Sequence, residues 1–271
     1  MNVKNEIRIY EWNIHMSATI PSNQGYILQP WVVDEIIKDT PDIIVLTEFV
    51  VSKGLEYYFK VLESNQYHWF ISNFTTQNGI MIAIKESSFD FQDILHYSEN
   101  SVQVDYMALK GCVLPDFYEV KVKWNEEPLS IIGVRMKVGV DKKQFTALDD
   151  YLSGLDNNVI CIGDFNAYWP NIWKTKDNHT LPKTSDKYNL YTPPYENGKN
   201  FSYVLKDQKT GIGKYVQLDH LITNIPDVNV EVEYYWDFIN TLRYKCGITS
   251  KTLIKPSGLP DHAILKAIIK T

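Results

Sequence analysis

The residues in this chain best suited to chemistry are Asn13, Glu48, Asp164 with Asn166, and Asp261 with His262. Each falls at the end of a run that reads as a β-strand. A strand end holds a side chain rigidly while the adjoining loops leave room for a substrate. Several oxygen donors with no cysteine among them suit a hard cation such as magnesium or manganese, whose normal shell is a few carboxylates plus water. Taken singly, each Asp or Asn also reads as a turn former, because its side chain satisfies neighbouring backbone groups. Gly163-Asp164-Phe165-Asn166-Ala167 carries more weight. Its glycine lets the backbone approach something closely, and its two polar side chains flank an aromatic that points the other way. Asp219 and His220 are neighbours on a strand-like run, so they face opposite sides; Asp219 is then the candidate site residue and His220 a structural one. His15, two residues beyond Asn13, shares its side if the strand continues. His68, His96 and His179 have no such neighbours and read as surface residues.

The elements that must position these groups are legible as alternations and apolar runs. Residues 7–13 alternate with period two and open the chain as a strand. Pro30 sits where a helix begins, and Trp31, Val32, Glu35, Ile36 and Lys38 give it a mixed face that ends at Thr40-Pro41. Residues 42–48 form a continuous β-branched run closed by Glu48, as in a strand buried on both faces. A helix over 55–62 and strands over 79–84, 117–122 and 129–134 follow. Residues 141–155 read as a helix with Phe145, Leu148, Leu152 and Leu155 on one face and Asp141 as its N-cap. Strands over 159–162, 217–223 and 263–269 complete the pattern. Residues 167–215 show no sustained period and are too long for an idle loop. Runs of strands with helices between only some of them predict a layered α/β sandwich, and residues 1–271 read as one domain.

Composition narrows the class. The chain is 44% hydrophobic and 22% charged, values that support a sizeable core. Its formal charge of −6, from 33 acidic against 27 basic side chains, argues against a broad basic coat for nucleic acid but leaves room for a local basic groove. Cys112, Cys161 and Cys246 form no CxxC pair, and their odd number points to a reducing compartment. No apolar run approaches the roughly 20 residues that span a bilayer, and the first residues alternate in charge. A cytoplasmic location is the expectation.

The Gly163-to-Ala167 segment resembles the Gly-Asp-Phe-Asn signature of the endonuclease/exonuclease/phosphatase superfamily. Further segments follow in that family's order: Trp12-Asn13-Ile14, the Pro41-to-Glu48 strand, Gln217-Leu218-Asp219-His220, and the closing stretch ending in Pro260-Asp261-His262. The resemblance implies a four-layered α/β/β/α sandwich with two packed mixed β-sheets flanked by helices, and a magnesium-dependent phosphoester hydrolase. It makes Glu48 the main metal carboxylate, with Asn13 and Asp261 helping to hold the ion and its waters. Asp164 would orient or deprotonate the attacking water, Asn166 would hydrogen-bond the phosphate, and His262, held by Asp219, would face that phosphate. Which of Asp164 and His262 takes the proton stays open at this point.

Two positions depart from the family pattern. Pro260 stands where many relatives have Ser, and Arg135 stands where relatives often carry a His or Tyr that contacts phosphate. Arginine keeps a phosphate contact but cannot give up a proton near neutral pH. Nucleic acid is the expected substrate. Trp169, Trp173, Lys174, Lys176, Lys183, Lys187 and Lys199 would form its stacking and phosphate-binding wall. The alternatives are a soluble or lipid phosphoester cleaved at the same metal site, and a degenerate member that only binds.

Overall fold

A computed structural model describes residues 4–15, 28–52, 54–72, 79–89, 116–136, 142–167, 181, 183–184, 186–196, 199–206, 213–239 and 260–271. One sheet has the strand order β12-β13-β1-β2-β4-β3. Its members are β1 (Glu6–Asn13), β2 (Ile43–Phe49), β3 (Tyr67–Ile71), β4 (Gly79–Lys85), β12 (Asn229–Tyr235) and β13 (Ile264–Lys270). The second sheet has the order β5-β6-β7-β11-β8, from β5 (Asp116–Trp124), β6 (Glu127–Arg135), β7 (Asn158–Asp164), β8 (Asn189–Tyr191) and β11 (Asp219–Thr223). A two-stranded ribbon pairs β9 (Tyr203–Lys206) with β10 (Gly213–Val216). Both large sheets are mixed: β1 runs parallel to β2 and antiparallel to β13, while β6 runs parallel to β7 and antiparallel to β5.

The alternation of side chains across each strand assembles the layers. Ile7 and Ile9 of β1, Ile43 and Val45 of β2, and Ile80 and Ile82 of β4 meet Leu129 and Ile131 of β6 and Ile160 and Ile162 of β7 in one apolar cluster between the sheets. The opposite face of the first sheet, with Trp12, Ile44 and Leu46, packs on Val32, Val33 and Ile36 of α1 (Pro30–Ile36) and on Tyr58 and Leu62 of α2 (Leu55–Ser64). The outer face of the second sheet, with Ile132, Val134 and Cys161, packs on Phe145, Leu148 and Leu152 of α3 (Lys142–Ser153). Each such aliphatic side chain contributes about 1.5–3 kcal/mol when withdrawn from water. The layer order is helix, sheet, sheet, helix, as the resemblance implied.

The expected strands over 7–13, 42–48, 79–84, 117–122, 129–134 and 159–162 all form, each within about two residues of its expected ends. Strands β3, β8, β9, β10 and β12 are additions. β12 and β3 are sheet edges, where one side chain row faces solvent; Glu231 and Glu233 of β12 therefore mask its apolar alternation. The expected N-cap Asp141 lies outside the described residues, as do Trp169, Trp173, Lys174, Lys176, His96, His179, Cys112 and Cys246. No helix among the described residues is long and apolar enough to cross a membrane.

Candidate active site

Between the sheets, the apolar layer gives way to polar side chains at one end. Ile7 and Ile9 on β1 are followed in phase by Glu11 and Asn13, and Ile160 and Ile162 on β7 by Asp164. Register places Arg135 beside Asp164 on parallel strands, and Asp164 beside Asp219 on antiparallel ones. Three residues carried by or next to the first sheet reach across to this row. Asn13 Nδ2 donates to Asp164 Oδ2 at 3.0 Å, Arg135 Nη2 donates to Glu48 Oε1 at 2.8 Å, and His262 Nδ1 donates to Asp219 Oδ2 at 2.9 Å. Asn13, Glu48, Asp164, Asn166, Asp219, Arg135 and His262, dispersed over some 250 residues of sequence, thus form three hydrogen-bonded groups, Asn13–Asp164–Asn166, Arg135–Glu48 and His262–Asp219.

Backbone irregularities aim several of these groups. Strict alternation after Ile43 and Val45 would turn Thr47 inward and Glu48 toward the helices. Instead the register shifts between Leu46 and Phe49, and Glu48 adopts a φ of 52°. This bulge returns Glu48 to the gap between the sheets, a known use of an extra residue in a strand. A non-glycine residue in this region is strained, and such strain is found where function requires it. Asn166 has a φ of 47°, and Gly163 a φ of 155°. A Cβ on Gly163 would lie 1.9 Å from the Val134 carbonyl oxygen, so only glycine lets β7 lie this close to β6 beside the site.

Asp164 is buried and accepts three hydrogen bonds: from Asn13, from the Asn166 backbone N–H at 2.8 Å, and from Asn166 Nδ2 at 2.8 Å. Burial, with Asp219 and Glu48 nearby, pushes its pKa up to about 7, against the pull of His262 and the Asn166 N–H. Both Asn166 amide hydrogens are engaged, one by Asp164 and one by the Met136 carbonyl at 2.6 Å. That differs from the phosphate contact expected of Asn166: in this state its amide fixes the carboxylate.

Glu48 is the reverse case. Burial raises its pKa, but the hydrogen bond to His15 and the charge of Arg135 outweigh that and pull it down to about 2, so it is ionised at neutral pH. Arg135 therefore sits on the carboxylate expected to hold the metal, a contact the sequence reading did not foresee. For His262, burial works against protonation, yet Asp219, Asp164 and Asp261 together hold its pKa well above the usual imidazole range. Its backbone carbonyl accepts from Trp12 Nε1 at 3.1 Å, and its ring lies 4.8 Å from that of Tyr203. The Asp219 strand is braced by Ser202 Oγ, which accepts from the Leu218 N–H, and by Tyr234, whose hydroxyl donates to the Asp219 carbonyl at 2.6 Å.

Glu11 belongs to this site and was passed over in sequence as one more member of an alternation. It is fully buried, accepts from Thr47 Oγ1 at 3.1 Å, and its pKa is raised far above the carboxylate range by burial and by Asp219 and Asp164. Its phase with Ile7, Ile9 and Asn13 was the available signal. Asp164, Asp219 and His262 also bring carboxylate oxygens and an imidazole nitrogen within 4.8 Å of one another.

His220 behaves as expected of a structural residue. Its Nε2–H donates to the Ala167 carbonyl at 2.9 Å, so its Nδ1 accepts from the Thr192 hydroxyl at 2.6 Å, a neutral tautomer. Burial lowers its pKa from 6.5 to about 4, opposed by the Ala167 carbonyl and Asp219. Above pH 6.5 the group is neutral whether the chain is folded or not. Below it the unfolded chain takes a proton that the folded imidazole refuses, so stability falls as pH drops from about 6.5 to about 4, by about 3 kcal/mol in total. Denaturant melts at pH 7 and pH 4.5 should show this loss, and His220→Gln should flatten it; an unchanged slope in the variant would refute the assignment.

Of the expected wall only Lys183, Lys187 and Lys199 fall among the described residues, and each has a protein partner. Lys183 pairs with Asp150, Lys187 with the Leu155 carbonyl and Asp156, and Lys199 with Glu196 at 3.4 Å. Leu155 and Asp156 precede β7, whereas Asp164 ends it, so Lys187 lies about 20 Å from the site along a seven-residue strand.

No protein-family model and no curated protein matches the chain. Solved structures do. TDP2 from D. rerio, complexed with a single-strand DNA product, is 12% identical and matches 99% of this chain and 100% of its own with a TM-score of 0.62. The mannosyl-6-phosphatase of Bacteroides thetaiotaomicron is 11% identical, matching 98% of this chain and 100% of its own with a TM-score of 0.59. The 3′ phosphatase NExo from Neisseria, bound to a product DNA hairpin, is 16% identical, matching 96% and 98% with a TM-score of 0.53. From end to end, the chain has the fold of the endonuclease/exonuclease/phosphatase superfamily.

Proposed function

We propose that this protein is a cytoplasmic, divalent-metal-dependent phosphoester hydrolase whose residues 1–271 form one catalytic domain, and that it cleaves phosphodiester bonds of nucleic acid. The observation that carries this reading is the set of three bridges across the sheets, which brings the Asp164 base, the ionised Glu48 and the His262–Asp219 pair to one rim. The likeness to TDP2 and NExo, each solved with product DNA, supports the nucleic-acid substrate. The free, buried thiol of Cys161 is consistent with a reducing compartment.

Oxygen donors led by an ionised carboxylate fit magnesium, with manganese as the substitute. Glu48, Asn13 and Asp261 would hold that ion, which when bound supplies Lewis-acid neutralisation of phosphoryl and leaving-group charge. Asp164, held by Asn13 and Asn166 and tuned to about 7, takes a proton from the attacking water near neutral pH. His262 carries positive charge against Asp219 and leaves its Nε2–H for a phosphate oxygen or the departing oxygen. Asn166 can exchange Asp164 for a phosphate oxygen when substrate enters. Arg135 keeps Glu48 ionised and adds a fixed cation next to the phosphate position.

A second reading is a phosphatase or phosphodiesterase on a soluble or lipid phosphoester. The likeness to a mannosyl-6-phosphatase and the acid-paired lysines favour it. Plasmid, single-stranded DNA, RNA, abasic DNA, inositol phosphates and sphingomyelin, each assayed with magnesium, with manganese and with chelator, separate the readings. Metal-dependent cutting of nucleic acid is expected. Release from a phosphomonoester alone would select the phosphatase, and turnover unaffected by chelator would overturn both.

A further inference from the structure

The Asp219–His262 pair joins elements that belong to different sheets. Asp219 opens β11 of the second sheet, and His262 stands two residues before β13 of the first. Nδ1 of His262 lies 2.9 Å and 3.2 Å from the two Asp219 oxygens, so the angle of the imidazole depends on how the two strand ends are held against each other. A single serine is bonded to both. Ser202 is fully buried and immediately precedes β9. Its carbonyl accepts from the Ala263 N–H at 2.8 Å, beside the isolated bridge between Tyr203 and His262. Its hydroxyl oxygen accepts from the Leu218 N–H at 2.8 Å and from the Asp219 N–H at 3.3 Å. Its own N–H donates to the Val216 carbonyl at 2.9 Å.

These bonds pin the main chain on both sides of the pair. The peptide that follows His262 is held by Trp12 Nε1 on its carbonyl and by Ser202 on its N–H. Asp219 is held by the Ser202 hydroxyl on its N–H and by the Tyr234 hydroxyl on its carbonyl. Leu218 and Asp219 are both buried, and a buried N–H deprived of its acceptor carries a desolvation cost that the chain relieves by shifting. Any such shift carries the Asp219 carboxylate with it. The carbonyl half of the clamp survives every change of the Ser202 side chain, so loss of the hydroxyl moves Asp219 against a histidine whose backbone stays in place.

We propose that Ser202 is the positioning residue of the Asp219–His262 pair, its carbonyl fixing the histidine and its hydroxyl the aspartate, so that the imidazole Nε2–H is aimed at the reacting phosphate. The proposal rests on the hydrolase reading above and names the device that sets the geometry of its acid pair. Ser202 acts only through that pair. Misplacing a catalytic group by about 1 Å costs up to about 100-fold in rate, which makes a buried hydroxyl at the base of Asp219 a determinant of turnover.

The pair can be read without turnover. The His262 Nδ1 proton, hydrogen-bonded to a carboxylate, gives a low-field proton NMR resonance, assigned with ¹⁵N-labelled histidine and by its loss in His262→Gln. Wild type, Ser202→Ala, Ser202→Cys, Ser202→Thr and Ile132→Val are compared by this resonance, by thermal melts, and by kcat and KM on the best substrate of the panel. Ser202→Ala should shift or broaden the resonance and lower kcat by about 10-fold to 100-fold with KM nearly unchanged. Ser202→Cys, which keeps the volume but accepts weakly, gives the same readout should the alanine variant fail to fold. Ser202→Thr keeps an acceptor oxygen and should restore both signals. Ile132→Val, in the core beneath the outer face of the second sheet, should lower the melting temperature and move neither. Alanine and cysteine variants that melt earlier but keep the wild-type resonance and kcat would make Ser202 a structural brace and overturn the proposal. If the resonance moves in those variants while wild type hydrolyses no member of the panel, the hydrolase reading falls and the positioning of the pair stands.

Discussion

Asp164→Asn and His262→Ala should each lower kcat/KM on the best substrate by about 1000-fold, and the double variant should be little worse than the weaker single one. Each removes a group used as charge develops in the transition state, and losses of about 3–4 kcal/mol per group are usual for such roles. The near-identity of single and double variants follows from their sharing one task. Asp164 takes a proton from water while His262 stabilises the phosphate that water attacks, and either half alone leaves the other without a reaction to assist. The variants should differ in stability. Asp164 accepts from Asn13 and twice from Asn166, so an asparagine there sets an amide N–H against these donors and costs about 1–3 kcal/mol. Substrate affinity and thermal melts separate the two effects. Losses that multiply in the double variant would show that the residues act independently.

Glu48→Gln should remove most activity at limiting magnesium, with part of the rate recovered as the metal is raised. The substitution deletes the ionised charge that attracts the cation but keeps a carbonyl oxygen for Arg135 Nη2, so the inter-sheet bridge survives in shape. It also gives Arg135, 11% exposed, a neutral amide in place of an ionised partner, and weakening a charge-assisted hydrogen bond of this kind lowers stability by about 1–3 kcal/mol. Metal-binding isotherms together with denaturant melts read both consequences. A variant that keeps the wild-type rate at limiting magnesium would exclude Glu48 as the principal ligand. Rescue by metal with no change in stability would show that Arg135 finds another acceptor when Glu48 loses its charge.

Sequence alone determined the strands and named most of the residues that meet at the candidate site. Period-two runs such as residues 7–13 and continuous β-branched runs such as 159–162 can bury their side chains only between or beneath sheets, so the strands and the inward face of each followed from local pattern. The ordered motifs from Asn13 to His262, through the family resemblance they carry and their placement at strand ends, named Asn13, Glu48, Asp164, Asn166, Asp219 and His262 as candidates. His220 was assigned to the opposite face from Asp219 by alternation, and its bonds to Ala167 and Thr192 bear that out. What only the tertiary structure decided depends on departures from regular pattern and on contacts between distant strands. Alternation would have turned Glu48 toward the helices, and the bulge before Phe49 returned it to the site. Glu11 became a site residue only when the second sheet brought Asp164 and Asp219 over it. Arg135, read as a phosphate ligand, proved to lie on Glu48, 87 residues away in the chain, because packing of the two sheets sets which strand end faces which. Local pattern fixes the direction of a side chain along its own strand; its partner across the sheet gap is a property of how two sheets are stacked, which no segment encodes by itself.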